Sequence, residues 1–497
     1  MNEKPEMNFS KRDIAFAFAT LVIGFLYWNL IFDHMLGAGV TVFALVIIAV
    51  SFVYLSKSGF RQNARSIVCL ILAALSGVQF AIFDNLFIDF LNFLFLTCLF
   101  VYWICISTGR GIDGKLSVYM IGDAFKQFII MPFSNYGCCI GGMKKGLANQ
   151  KKGKGILAAL IGVLIFMPLI AAVLNLLISA DLAFESFVGR VFDFISVDKV
   201  LTYIIQFLFG IPVAFYLYGL IYGNVTGRHS DKISAQSVDN AAEVIKIAPK
   251  ATIYSVLTVF NIIYLAFFAV QAAYFFSAFG GELPDTFTYA EYARRGFFEL
   301  CMVAGINLLV LTVSHLTVKR AKGEESKALK VLTVMISLFT ILLIVTALSK
   351  MAMYIDAYGL TQLRLFTSWF MVLLLFVFLI ICVRQFRKFN SPRLIIAGFV
   401  VMFMLLSYGN ADGLIAKYNI ARFEAGTLPA LDIGAIYELS DAAVPYVYDL
   451  YLNTDDNDPE LRQKLESYIR DSAYYVEPGF RSFNYQRYLA DEIRSGF

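Results

Sequence analysis

SIVCLILAALSGVQFAIFDNLFIDFLNFLFLTCLFVYWICI, residues 66–106, holds two carboxylates, Asp84 and Asp89, and no Lys or Arg. A helix needs about 20 apolar residues to cross a hydrocarbon core. The stretch supplies that length twice, at 66–83 and 86–106, with Asp84-Asn85 as the turn of an antiparallel hairpin. A bilayer core accepts only helices and closed barrels, because backbone polar groups there find no water. Runs of this length and composition make helices.

Working outward, the same reading finds nine more spans near 14–32, 38–55, 155–178, 200–222, 252–277, 297–318, 329–348, 365–383 and 392–409. The expected fold class is therefore all-α, a polytopic membrane protein with about eleven transmembrane helices. Composition agrees: 59% of the 497 residues are apolar and 16% are charged, against about a quarter charged in soluble proteins. The first run follows Lys11-Arg12, is too long for a signal-peptide core and lacks a cleavage site, so it reads as an uncleaved anchor. Pro168 and Pro212 fall mid-span and predict kinks.

Charge alternates between connectors. Those assigned to one side carry 27 Lys/Arg, those on the other carry 6, and the tail carries 8. Basic residues near span ends stay cytoplasmic. The expected topology is a cytoplasmic N-terminus and an extracytoplasmic tail, in a cell membrane. The basic excess at span ends argues against nucleic acid and for an anionic leaflet as partner. The expected organisation is a multi-span domain, 1–409, and a helical tail, 410–497. Tail helices are expected at 432–439, 441–452, 459–475 and 484–494. The longest cytoplasmic connector carries Ile121, Phe125, Phe128, Ile129 and Pro132 at helical spacing, opposite Asp123, Lys126 and Gln127. An amphipathic helix on the inner surface is expected near 118–135. A second such stretch is 235–247. The seven Cys imply no disulfide framework, and Cys138-Cys139 lacks zinc-site spacing.

Polar groups at membrane depth are functional candidates because burying them in lipid is costly. The richest cluster lies toward the outer face. YAEYARRGFFEL, 289–300, spaces Glu291, Arg295 and Glu299 at i, i+4, i+8, with Arg294 beside them. Gln271 lies at similar depth, and a turn at 351–364 adds Tyr354, Asp356, Tyr358, Thr361 and Arg364. Gln271, Glu291, Arg294, Arg295, Glu299, Tyr354, Tyr358 and Arg364 form a candidate outer-face binding cluster, with arginines for an anionic group and Glu299 as a titratable switch. An interfacial aromatic belt with ion pairs that clamp loops is the plainer reading. A secondary group comprises Asn29, Asp33, His34, Asp84, Asp89 and Asn92. Asp33 and Asp89 are its candidate site residues, and helix caps and hairpin turns explain most of it more cheaply.

No phosphate loop, H-E-x-x-H helix or G-x-S-x-G elbow is present. No catalytic residue, metal or cofactor is assigned. Three functions are open: solute recognition at the outer face as a transporter or sensor component, with a small molecule or lipid as ligand; a lipid-linked glycosyl- or phosphotransferase using Asp33; and a scaffold binding a partner through its tail.

YAEYARRGFFEL, MYIDAYGLTQLR (353–364), GNADGLIAKYNIARF (409–423) and LSDAAVPYVYDL (439–450) resemble segments of a bacterial polytopic membrane family, domain of unknown function 4173. The resemblance covers 227–450. It implies a multi-span membrane protein and supplies no catalytic residue.

Overall fold

Polar residues at the ends of the apolar runs set where the helices begin. Ser10, Asn63, Asn85, Ser326, Thr361 and Asn390 each accept a hydrogen bond from a first-turn backbone amide. This satisfies donors that a helix start leaves free. Gly109 and Gly359 follow α-helices with positive φ, where a side chain would strain the backbone.

A computed structural model describes residues 8–32, 37–114, 116–148, 197–280, 297–319, 326–454, 458–471 and 479–497, with Val173, Leu176, Leu177, Ser179 and Ala180. Among these the secondary structure is helical, with one isolated bridge, Ala248 to Val318. In chain order the helices are α1 Lys11–Tyr27, α2 Ala38–Lys57, α3 Ala64–Ile82, α4 Leu86–Thr108, α5 Met120–Phe125, α6 Met131–Ser134, α7 Cys138–Ala148, α8 Val197–Thr226, α9 Ala235–Ile245, α10 Lys250–Gly280, α11 Phe297–Thr317, α12 Lys327–Tyr358, α13 Gln362–Arg384 and α14 Ser391–Tyr408. The tail adds α15 Ala411–Glu424, α16 Ile433–Tyr437, α17 Val444–Asn453, α18 Pro459–Arg470 and α19 Tyr485–Gly496. A π-helical turn, Trp28–Phe32, continues α1.

Ten helices among the described residues are long and apolar enough to cross a membrane. They coincide with ten of the eleven expected spans. The eleventh, 155–178, lies outside the described residues apart from Val173, Leu176 and Leu177, and Pro168 lies outside them too. The chain is a polytopic α-helical membrane protein.

The spans pack as two bundles. In the first, α1 to α4 and α8 share an apolar core that includes Phe16, Phe80, Trp103 and Tyr218. α1 and α8 run antiparallel, with Phe9 against Tyr222 and Phe25 against Tyr203. They cross at paired glycines: a Cβ on Gly24 would meet the Gly210 carbonyl oxygen at 2.2 Å. Small residues bring membrane helices this close. The second bundle, α10 to α13, has its own core around Ile336, Ile344 and Phe378. α14 joins the two, packing on α3, α4 and α13. The tail helices form a third core around Ile415, Val447, Leu465 and Ile469.

Three expectations change. The 351–364 segment is mostly helix, because α12 runs on to Tyr358 and only 359–361 turns. Its 32 residues make about 48 Å at 1.5 Å each, longer than a hydrocarbon core of about 30 Å. The tail gains a helix that was not expected, α15, and the expected helix at 459–475 ends at Arg470.

The third change concerns the surface helix. Of its expected apolar face Ile121, Phe125 and Ile129 are exposed, Phe128 is half-buried and Pro132 is buried, while Lys126 and Gln127 on the expected polar face are buried. Lys126 Nζ donates to the Arg110 carbonyl at 2.9 Å, and Asn224 Nδ2 donates to Gln127 Oε1 at 2.8 Å. Asp123 Oδ1 accepts from the Ile112 amide at 2.8 Å. A helix resting on the membrane surface would turn its polar side to water. This one satisfies part of its polar side inside the protein. Cys138 and Cys139 on α7 are buried, and among the described residues no cysteine is in a disulfide.

Candidate functional site

The expected outer-face cluster is divided. Glu291, Arg294 and Arg295 lie outside the described residues, and Gln271 is on α10 where its side chain does too. Glu299 is on the first turn of α11 and is attracted to Lys350 of α12, a partner the sequence did not suggest. Arg364 is engaged. Its Nη1 donates to the Tyr358 and Gly359 carbonyls at 3.0 and 2.6 Å, and its guanidinium covers the Tyr354 ring at 4.1 Å. These carbonyls end α12, so Arg364 caps that helix, the clamp reading of this residue. The Tyr358 ring is tilted against that of Tyr354, 5.3 Å between centroids, and remains half exposed.

The turn at 359–361 receives the tail. Asn419 of α15 pairs with the Leu360 backbone on both sides, accepting from its amide at 2.6 Å and donating to its carbonyl at 2.7 Å. A Cβ on Gly359 would meet the Asn419 Oδ1 at 2.6 Å. Arg422 donates to the Asp356 carbonyl at 2.8 Å and pairs with its carboxylate at 3.1 Å.

The secondary group proves richer. Asp33 and His34 lie outside the described residues. Asp84, Asn85, Asp89 and Asn92 are all buried, and they open into a polar seam between the bundle and the tail. Inside the bundle, Gln79 Nε2 donates to Asp89 Oδ1 at 3.0 Å and Asn92 Nδ2 donates to Gln79 Oε1 at 2.6 Å. Ser76 Oγ donates to Asn92 Oδ1 at 2.6 Å. At the seam, Arg487 of α19 donates to Asp84 Oδ1 at 2.9 Å. Arg494 grips Asp441 at 2.5 Å, and Arg487 lies 3.9 Å from the other Asp441 oxygen. Asp412, 1% exposed, accepts from Gln362, Asn85 and the Ser440 amide at 2.7, 3.0 and 3.1 Å.

Burial dominates the electrostatics here. It raises the Asp84 carboxyl above its ordinary range; Arg487 opposes this, and Asp441 and Asp412 reinforce it. Burial likewise raises Asp412, against the hydrogen bonds from Ser440, Gln362 and Asn85. Hairpin turns with polar residues carry no trace of distant partners, so the sequence could not anticipate Arg487, which is 403 positions from Asp84.

The first bundle also holds a partly open cavity of about 450 Å³. It lies among α1, α2, α4 and α8 and reaches Phe133 and Tyr136 at the α6–α7 turn. Its walls are apolar, including Ile31, Val40, Ala44, Leu96, Phe100 and Val213, with Thr97 among few polar residues. Pro212 lies in the wall, inside α8. Pro212 is the one sequence signal that falls here, because a kink at membrane depth can mark a cavity; the other walls are ordinary span residues. Among the described residues no group of His, Cys, Asp or Glu is placed to hold a metal ion.

No curated protein and no solved structure matches the chain. A family model does match, over residues 67–450: Domain of unknown function (DUF4153). This replaces the expected family 4173, whose likeness rested on short aromatic and arginine-rich segments. Interfaces favour such residues at span ends in many membrane proteins. The match runs from α3 through the second bundle to the start of the tail, leaving α1 and α2 outside it, and the chain belongs to the DUF4153 family.

Proposed function

We propose that this protein binds a hydrophobic, bilayer-borne molecule within its first bundle, as a transporter or sensor component. The observation that carries the reading is the cavity among α1, α2, α4 and α8. Its volume falls within the range of about 300–1,000 Å³ typical of ligand pockets. Its walls are membrane spans, so a ligand arrives from the hydrocarbon and not from water. Apolar walls offer little to a charged solute, which would lose its hydration there. We further propose that the membrane is a bacterial cell membrane, with the N-terminus cytoplasmic and the tail outside.

The test is photo-crosslinking with a diazirine-bearing long-chain fatty acid in membranes. The full-length protein is expected to label on α2, α4 or α8. Ala44→Phe fills the cavity and is expected to reduce that labelling several-fold without lowering the thermal midpoint by more than a few degrees. Equal labelling of both proteins would sink the reading.

A second reading keeps recognition at the tail end of the second bundle. The attraction between Glu299 and Lys350 favours it, because an acid and a base at span ends are costly unless used. Glu299→Gln that fully complements a deletion strain would remove its basis.

A further inference from the structure

We propose that the tail, 410–497, is a lid over the end of the first bundle, latched across a polar seam by Arg487 on Asp84. The geometry has three parts. First, the apolar cores of the first bundle and the tail are separate, with Phe80 in one and Val447 in the other. The tail core takes in Leu360 of the second bundle, so the tail keeps its seat there while it lifts from the first. A small cluster, Ile88, Leu406 and Ala411, bridges first bundle and tail near the point where the chain passes from α14 into the tail. Second, the contacts across the seam are polar. Besides the ion pair, Gln486 Oε1 accepts from the Asp84 amide at 2.8 Å, and Asn484 donates to the Phe80 and Phe83 carbonyls at 3.1 and 2.6 Å. Ser440 Oγ donates to the Asp84 carbonyl, and Asn85 Nδ2 donates to Asp412 Oδ2. An interface of this kind separates without exposing a large apolar face, since water can replace each hydrogen bond. An apolar interface of the same size would resist opening.

Third, the lid covers the helix that lines the cavity. The Ala38 and Gly39 amides open α2 and donate to the Phe483 and Arg481 carbonyls at 2.8 and 2.9 Å. Val40, the next residue, is a cavity wall. Close approach is built in: a Cβ on Gly37 would meet the Phe483 oxygen at 3.0 Å. Lifting the lid therefore frees the first turn of α2 beside the cavity. What the lid governs rests on the cavity reading; that it lifts does not.

The experiment is hydrogen exchange on the full-length protein in nanodiscs, read at the Ala38, Gly39 and Asp84 amides. Arg487→Met is expected to speed their exchange by about tenfold, the effect of losing one charge-assisted hydrogen bond, with mid-helix amides of α3 and α4 unchanged. The reversed pair, Asp84→Arg with Arg487→Asp, is expected to restore slow exchange. Unchanged seam amides, or equal acceleration throughout α3 and α4, overturn the lid. Crosslinking of the diazirine fatty acid to α2 forms the second arm. It is expected to rise in Arg487→Met; faster seam exchange with unchanged labelling overturns control of the cavity. Faster exchange with no labelling of either protein supports the lid and counts against the cavity reading alone.

Discussion

At the scale of single residues, the same side chain type serves differently according to what faces it. Arg364 was a plausible anion ligand on sequence grounds. Its guanidinium instead meets the Tyr358 and Gly359 carbonyls and the Tyr354 ring. Glycines were equally ambiguous. Gly24 and Gly210 are far apart in the chain, yet each occupies the place where the other's helix comes closest. Gly210→Val places carbon against the Gly24 backbone, which cannot move aside as a side chain could. It is expected to destabilise the protein by about 3 kcal/mol, the upper end for overpacking. The thermal midpoint in detergent measures this, and a midpoint equal to that of the parent would show that α1 and α8 do not touch there.

At the scale of elements, apolar periodicity located the spans well but said less about their ends and orientations. α12 overruns its expected end because MAMYIDAY is compatible with helix until Gly359 supplies a positive φ. The segment near 118–135 shows helical amphipathicity in either orientation, and buried partners for Lys126 and Gln127 decide which side faces the protein. The seam elements carry a pH dependence. Asp84 and Asp412 have raised carboxyls in the closed form, against about 3.9 when exposed. The closed form therefore binds protons more tightly than an opened one. This stabilisation is complete below the ordinary carboxylate value and is lost as pH rises through the raised ones. Arg487, Asp441 and Asp412 face Asp84, while Gln362, Asn85 and Ser440 surround Asp412. Seam amides, corrected for intrinsic exchange, are expected to be better protected at acid pH. Asp412→Asn is expected to flatten that profile; an unaltered profile would remove Asp412 from it.

At the scale of the whole molecule, N-terminus and tail lie at opposite ends of the span bundle. α1 runs antiparallel to α8, and the tail caps the starts of α2 and α4. Thiol labelling fixes which end faces the cytoplasm. Ser495→Cys on α19 is expected to react with an impermeant maleimide in intact cells, and Gln236→Cys on α9 only after permeabilisation. The opposite pattern would invert the orientation. Ten of the spans and the fold class were readable in sequence because a bilayer imposes a length and an apolarity on each crossing separately. Both are local properties, written in about 20 consecutive residues. Which spans share a core, where a cavity is left among them and which tail residue grips Asp84 are not local. They depend on side chains hundreds of positions apart meeting in space, and only the tertiary structure brings Arg487 to Asp84 and α8 to α1.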